Sequence, residues 1–128
     1  MGVTCDTDED LVEWDYGRWE GMTTAEIRSV VSDPLWNIWR DDIPPGETPG
    51  EQVSEVGHRA ARVLGRCLPV LHAGRDCLLV SHGHFLRILT ATWLGLPPAA
   101  GRLFALDAAA VSRLGFEHEQ QVIASWNT

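Results

Sequence analysis

The sequence contains no lysine, and its ten basic residues, all arginine, face eighteen acidic ones, for a formal net charge of −8. A surface this acidic repels nucleic-acid phosphates and anionic lipids over most of the molecule. Neither nucleic acid nor a membrane is therefore expected as a partner, and any phosphate site must be local. Arginine suits bidentate phosphate contacts, but a GC-rich genome explains the composition more simply.

Cysteine is scarce as well. Cys5, Cys67 and Cys77 are an odd number without CxxC spacing, which excludes a disulfide framework and a cysteine-based metal site. We expect them to be small buried hydrophobes in a reducing cytoplasm.

Long apolar runs are also absent. No stretch approaches the roughly 18 apolar residues of a membrane span, and the acidic N-terminus does not have the character of a secretory signal. The chain is therefore predicted to be cytoplasmic. Its 128 residues are 45% hydrophobic and show no abrupt change in composition, which predicts a single domain over 1–128.

The most informative stretch is residues 77–85, where a short apolar run ends in Ser81-His82-Gly83 and a helical pattern follows. It predicts a buried strand over 77–81, a tight turn and a helix near 84–94, with His82 delivered to a crevice. The N-terminus of such a helix offers free N–H groups and its positive dipole end to an anion such as phosphate. Gly83 lets the backbone approach that anion. The alternative is that His82 merely caps the helix.

A second unusual stretch, residues 10–21, interleaves aromatic and acidic side chains between glycines without helical or alternating period, which indicates an ordered loop. Glu13 lies between Val12 and Trp14, so partial desolvation would fit its carboxyl group to donate a proton. The alternative is a solvated surface glutamate.

The remaining elements follow from local signals. A capping box at Thr23 and Glu26 predicts a helix over 24–31, and Asp33-Pro34 predicts a second short helix, the two forming a lid-like insertion. Proline and glycine make 41–50 a loop. Apolar spacing predicts a long helix over 51–72, with Arg59, Arg62 and Arg66 on a solvated face. Two apolar runs within 109–126 predict an antiparallel hairpin at the sheet edge.

Together these stretches carry a family resemblance. Glu13-Trp14-Asp15-Tyr16-Gly17-x-Trp19-Glu20-Gly21, followed some sixty residues later by Val80-Ser81-His82-Gly83-His84, resembles the histidine phosphatase superfamily, also called phosphoglycerate-mutase-like. The resemblance runs from about residue 8 to the C-terminus. It implies an α/β fold of the three-layer α/β/α sandwich type.

The resemblance also implies roles for individual residues. Glu13 matches the glutamate that protonates the leaving alcohol, and His82 matches the second active-site histidine, which contacts the phosphoryl group together with Gly83. Trp14, Tyr16 and His84 fall at the substrate pocket. The implied substrate is a small phosphomonoester or inorganic phosphate, unresolved among sugar phosphates, phosphoglycerate and nucleotide-derived esters, and no cofactor is required. Hydrolysis is preferred over mutase activity because Trp14, Trp19, Trp36 and Trp39 suggest a lid with apolar walls.

The sequence departs from the family at one decisive point. Neither Arg-His-Gly, whose histidine is the family's nucleophile, nor the Ser-Pro-x-x-Arg segment occurs in it. The chain thus corresponds to the later part of a family domain, lacks the N-terminal strand that carries Arg-His-Gly, and is predicted to be inactive alone. An upstream start codon would explain the missing segment. The alternative is an inactive phosphate-binding or oligomerising relic. An exposed sheet edge would also favour a homodimer. His82 and His84 could also bind a metal ion, but no third ligand stands at a recognisable spacing, so no metal is predicted.

Overall fold

A computed structural model describes residues 4–128; residues 1–3, which the single-domain prediction includes, lie outside that range. The described part contains three α-helices and an antiparallel pair of strands, together with short 3-10 helices at Glu9–Leu11, Gly17–Trp19 and Pro98–Leu103. The bounds are α1 (Thr24–Val31), α2 (Val53–His72), α3 (Gly83–Trp93), β1 (Arg113–Glu117) and β2 (Gln120–Ser125). Within residues 4–128, no helix is both long and apolar enough to cross a bilayer.

Helix α1 begins and ends as its sequence predicts. The hydroxyl of Thr23 accepts a hydrogen bond from the Glu26 N–H at 3.2 Å, and the Glu26 carboxylate accepts one from the Thr23 N–H at 3.2 Å. This reciprocal pair satisfies two backbone donors that a helix start leaves without partners. The helix ends at Ser32, whose φ of 56° lies in the left-handed region.

Helix α2 begins two residues later than predicted, at Val53, and contains Pro69 in its last turn. The helix is closed by Gly74, which has a φ of +78°. The Gly74 N–H donates to the Leu71 carbonyl at 3.0 Å and the Arg75 N–H to the Val70 carbonyl at 3.1 Å, a pattern that satisfies the terminal carbonyls. The predicted end of this helix at residue 72 is confirmed.

The prediction of a second short helix after Asp33 is wrong. Residues 33–41 form successive turns. Their backbone N–H groups are taken by nearby side chains: Asp33 accepts from the Leu35 N–H at 2.9 Å, Asn37 from the Trp39 N–H at 2.8 Å and Asp41 from the Asn37 N–H at 2.6 Å. Such local acceptors compete with helical hydrogen bonds.

The prediction of a central strand over 77–81 is also wrong for the described residues. The segment is extended but has no ladder partner, and Leu78 and Val80 are 84% and 78% exposed. Leu79 packs against the core, and the Ser81 hydroxyl donates to the Leu11 carbonyl at 2.6 Å. Alternate side chains of an extended segment point to opposite faces, so one face is packed and the other is open.

The cysteine prediction is partly wrong. Cys67 on α2 is buried, whereas Cys5 and Cys77 are exposed, and all three are free thiols. Cys77 is exposed although it alternates with Leu79 and Ser81, and its Sγ lies 4.0 Å from the Cys67 carbonyl oxygen. Burial raises the pKa of the Cys67 thiol to about 11.

The predicted hairpin is confirmed. Strands β1 and β2 pair antiparallel, with Glu117 opposite Gln120 at the turn. The two connecting residues, His118 and Glu119, have φ values of 48° and 74°, the conformation that tight two-residue hairpin turns adopt. This pair is the whole sheet of the described residues, so the fold they form is α/β with a small sheet beside its helices.

The core lies between α2 and α3. Apolar residues of α2, recurring at helical spacing, face an almost fully buried stripe on α3; they are Val56, Ala60 and Val63 against Phe85, Ile88 and Leu89. Trp14, Trp19 and Trp36 extend this core from the loops. The indole N–H of Trp93 donates to the Val122 carbonyl at 3.1 Å and so anchors the hairpin to α3. The start of α3 is thereby held rigidly between the aromatic loops and α2.

Candidate functional site

The site is built around the first turn of α3. The Glu13 carboxylate accepts hydrogen bonds there from the Phe85 N–H at 2.9 Å and the His84 N–H at 3.2 Å, and also from its neighbour, the Trp14 N–H, at 2.9 Å. A helix N-terminus attracts negative charge through its free N–H groups and its dipole. Residues 13 and 84, 71 positions apart in sequence, are therefore joined at one point of the surface.

His82 is the residue immediately before this turn. Its backbone is extended, with φ −118° and ψ 162°, and its side chain makes no capping hydrogen bond. The imidazole is exposed. Gly83 follows, and a Cβ placed there would meet nothing within 4 Å, so the space in front of His82 and Gly83 is open to a ligand.

The predicted pocket residues Trp14, Tyr16 and His84 lie together. The Tyr16 hydroxyl and the His84 Nδ1 are 2.6 Å apart. The His84 ring centroid lies 5.8 Å from Trp14 and 5.1 Å from Trp39, with the rings edge to face. Trp39, expected only as part of a lid, is thus a wall of the same aromatic cluster.

Burial sets the charge of this cluster. It lowers the pKa of His84 below its usual range, with the nearby Arg87 guanidinium acting in the same direction. Burial, together with the carboxylates of Glu13 and Glu20, raises the pKa of Tyr16 well above its usual range. Desolvation disfavours whichever form is charged, so both side chains are neutral near pH 7. One proton lies in the hydrogen bond between the Tyr16 oxygen and His84 Nδ1.

The prediction that Arg59, Arg62 and Arg66 lie on a solvated face of α2 is wrong for Arg59. It is only 8% exposed, whereas Arg62 and Arg66 do lie on the surface and pair with Asp10 and Asp8. The sequence held a signal that we missed, because Arg59 shares a helix face with the buried Val56 and Val63, three residues before it and four after it.

The Arg59 guanidinium fixes the loop that carries Glu13. Its Nε and Nη2 donate to the two carboxylate oxygens of Glu51 at 2.8 and 3.0 Å. Its Nη1 donates to the carbonyls of Asp10 at 2.7 Å and Val12 at 2.9 Å. The guanidinium also lies 4.9 Å from the Phe85 ring centroid, so a single buried cation ties the loop 10–13 to both α2 and α3.

Glu51 extends this network to the other side of Glu13. Its carboxylate accepts from the Asp15 N–H at 2.9 Å, and its backbone carbonyl accepts from the indole N–H of Trp14 at 2.8 Å. Both residues that follow Glu13 are therefore held as well. Bidentate arginine to carboxylate pairs add geometric specificity as well as energy, which suits a loop that has to present one carboxylate accurately.

Two concave regions flank these residues. A cavity of about 260 Å³ lies beside Tyr16 and His84, walled by Met22, Ile27, Trp36 and Ile38. A wider, open concavity of about 550 Å³ lies among residues 6–10 and Arg66. The second region is lined by four carboxylates, which disfavour an anionic substrate. The first region is lined by Tyr16 and His84, two of the predicted pocket residues, and is therefore the one that we assign to the site.

Among residues 4–128, no group of three or more histidine, cysteine, aspartate or glutamate side chains is arranged to hold a metal ion. His84 Nδ1 is already bonded to Tyr16.

Comparison with known proteins identifies the family. Residues 1–128 match the family model of the histidine phosphatase superfamily (branch 1). The chain belongs to this superfamily. The family resemblance noted in the sequence is confirmed, and with it the phosphoglycerate-mutase-like α/β fold.

Relatives within the histidine phosphatase superfamily include phosphatases. The chain is 41% identical over 114 residues to an acid phosphatase of Mycobacterium tuberculosis, a match that covers 89% of this chain and 53% of the relative. It is 40% identical over 102 residues to the sedoheptulose 1,7-bisphosphatase of Saccharomyces cerevisiae, covering 70% of this chain and 36% of the relative. The chain thus spans about half the length, or less, of these two superfamily members.

A solved structure from the same superfamily gives the same result for the fold. The structure of the open reading frame Rv3214 from Mycobacterium tuberculosis superposes with a TM-score of 0.83 at 38% identity, over 94% of this chain and 58% of that one. The arrangement of α1, α2, α3 and the hairpin is therefore that of the corresponding part of a histidine phosphatase.

Proposed function

We propose that this chain binds small phosphomonoesters and inorganic phosphate at the start of α3, and that it represents the proton-donor half of a phosphomonoester hydrolase site. Glu13 is the proton donor to the leaving alcohol, His82 contacts the phosphoryl group, and the backbone at Gly83 approaches it. The observation that carries the proposal is that the Glu13 carboxylate lies on the His84 and Phe85 N–H groups, in the helical turn that directly follows the exposed His82.

The phosphatase relatives support the reaction class. In the phosphohistidine route that the family resemblance implies, a nucleophilic histidine attacks phosphorus and the bond to the ester oxygen breaks. The departing alcohol takes a proton from the general acid, and water then releases the phosphoryl group. Glu13 and His82 supply the acid and an electrostatic partner. The nucleophile is not supplied, since no Arg-His-Gly occurs in the 128 residues, and a covalent route requires an activated nucleophile.

The position of Glu13 adds a condition to phosphate binding. Its carboxylate already accepts from two of the N–H groups that were expected to be free for the phosphate. Two anions at this spacing repel each other. Phosphate therefore enters when the carboxylate swings away or takes up a proton, since a protonated carboxyl group is the weaker acceptor. Protonation of the acid and opening of the phosphate site are coupled in this proposal.

The finer fold and location belong to the same proposal. The extended segment 77–81, with one packed and one open face, is suited to become the inner strand of a three-layer α/β/α sandwich once a neighbouring strand pairs with it. A cytoplasmic location is supported by the free thiols of Cys5, Cys67 and Cys77.

A second candidate function is an inactive relic that binds phosphate or forms homodimers. The favouring observation is the exposure of Leu78 and Val80 on a segment without a ladder partner, because unpaired edges of this kind recruit another strand. Sedimentation of the chain as a concentration-dependent dimer would favour this candidate, whereas a monomer at high concentration would count against it.

Titration with inorganic phosphate, followed by ¹H–¹⁵N NMR, tests the primary proposal. Perturbed amide signals are expected to cluster at residues 82–85 with a dissociation constant in the millimolar range, about −4 kcal/mol at 1 mM, because no arginine clamp adds to the helix N-terminus. His82→Ala should weaken binding, and the exposed His58→Ala, on the surface of α2, should leave it unchanged. Perturbations confined to Arg62 and Arg66 would show that the site is elsewhere.

A further inference from the structure

The size and the lining of the cavity beside His84 indicate which phosphomonoester the site accepts. Its volume is about 260 Å³, and four of its walls are the side chains of Met22, Ile27, Trp36 and Ile38. An apolar cavity of about 150 Å³ accommodates benzene. A two-ring aromatic group or a branched alkyl group of similar size therefore fits this one.

The polar side chains that line this cavity are few: Tyr16, Thr24 and His84. The Tyr16 hydroxyl and His84 Nδ1 satisfy each other at 2.6 Å. Among the described side chains that line the cavity, none is aspartate, glutamate, lysine or arginine. A sugar alcohol with several hydroxyl groups would leave most of them without partners here, and each unpaired polar group that is buried is costly.

Two arginines near the cavity are engaged elsewhere, and one of them is Arg28, whose Nε donates to the Trp36 carbonyl at 2.9 Å. Arg87 lies 4.9 Å from the Trp39 ring centroid, and its Nε and Nη2 donate to the carbonyls of Gly101 and Arg102, each at 3.1 Å. Since burial also keeps His84 neutral, the cavity offers no charge to the carboxylate of a substrate such as phosphoglycerate.

The cavity and the phosphate site share one residue. The backbone N–H of His84 belongs to the first turn of α3, where it contacts Glu13, while the His84 side chain forms a wall of the cavity. An ester group attached to a phosphate at that turn would therefore lie next to the cavity that His84 borders.

We propose that this cavity is the leaving-group subsite and that it selects phosphate monoesters of bulky apolar or aromatic alcohols over those of polyhydroxylated or carboxylated ones. This inference rests on the proposed function, because it takes the phosphate to lie at the first turn of α3. The specificity-determining residues are Met22, Trp36 and Ile38, with His84 as the boundary between the two halves of the substrate.

The test compares dissociation constants of the full 128-residue chain for 1-naphthyl phosphate and glycerol 3-phosphate, measured by NMR titration. The naphthyl ester should bind at least about tenfold more tightly, since burial of its apolar surface adds to the same phosphate contact. Ile38→Gln should lower this ratio towards one, and Met22→Gln, on another wall, provides a second variant should the first fail to fold. Leu35→Gln, which is 70% exposed and outside the cavity, is the matched control and should keep the ratio.

The outcomes separate this inference from the proposed function. Equal affinities for the two esters, or tighter binding of glycerol 3-phosphate, overturn the inference and leave the phosphate site intact if inorganic phosphate still binds. Binding of 1-naphthol as tight as that of 1-naphthyl phosphate overturns it as well, because the cavity would then act independently of the phosphate. Failure of every phosphate compound to bind overturns both proposals.

Discussion

The 128-residue chain is expected to leave p-nitrophenyl phosphate unhydrolysed, at a rate on the order of 10⁶-fold below that of an intact covalent phosphatase. Loss of the nucleophile removes the covalent step on which the other groups depend. Glu13 protonates a leaving group only after phosphorus has been attacked, and no Arg-His-Gly is available to attack it. The measurement is release of p-nitrophenolate by the purified chain, with the acid phosphatase of Mycobacterium tuberculosis as the positive control.

Controls for this assay distinguish the possible sources of any activity. Turnover that disappears in His82→Ala would mean that the exposed His82 imidazole acts as the nucleophile, and the roles proposed above would be wrong. Turnover that survives in both His82→Ala and Glu13→Gln would indicate a contaminating phosphatase or a different site.

Replacement of Arg59 by methionine is expected to lower the free energy of unfolding by about 3–5 kcal/mol, the range for removing one partner of a buried ion pair. The side chains of Arg59 and Glu51 are 10% and 18% exposed, and they bond at 2.8 Å. Methionine fills much of the same space, but it leaves the Glu51 carboxylate and the Asp10 and Val12 carbonyls without their donor. Urea denaturation followed by tryptophan fluorescence measures the change.

Two matched variants interpret that result. Arg62→Met removes an arginine from the same helix, but its side chain is 54% exposed and pairs with Asp10 at the surface, so a much smaller loss than in Arg59→Met is expected. Arg59→Lys keeps the charge and loses the bidentate fork, so its loss should lie between the two. Equal losses in Arg59→Met and Arg62→Met would contradict the role given to Arg59.

The sequence predicts best the helices and strands that interactions between neighbouring residues form. The capping box of Thr23 and Glu26, the helical spacing of α2 and the paired apolar runs of the hairpin each involve neighbours in sequence. Both helices are predicted to within two residues, whereas the hairpin, expected within 109–126, has its first strand only from Arg113. The family resemblance singles out Glu13 and His82. The contact of Glu13 with the turn that follows His82 joins residues 71 positions apart, so no local pattern contains it.

The errors share a physical cause. A strand needs a partner, and the apolar run at 77–81 contains no information on whether one is within reach. Asp33 and Asn37 can cap a helix or satisfy a turn, and the choice depends on how Trp36 packs into the core. Arg59 was assigned to the surface by residue type, yet a nearly complete set of acceptors allows an arginine to be buried.

The position of the Glu13 carboxylate at the N-terminus of α3 is likewise set by the fold and not by a local pattern. The sequence indicated free N–H groups at the start of α3, and it gave no reason to seat Glu13 on them. Only the folded loop, fixed by Arg59 and Glu51, brings that carboxylate within 2.9 Å of the Phe85 N–H. A glutamate in this position can compete with phosphate and also donate a proton to its ester.

The central claim is that Glu13 and phosphate share one site, and the affinity of Glu13→Gln for inorganic phosphate tests it most directly. Glu9→Gln is the control, because it makes the same change in net charge at an exposed residue away from α3. Phosphate is predicted to bind Glu13→Gln about fivefold or more tightly than the wild type, since one like charge at about 4 Å opposes binding by about 1 kcal/mol even in bulk water, with Glu9→Gln unchanged. Unchanged or weaker binding by Glu13→Gln would contradict the account.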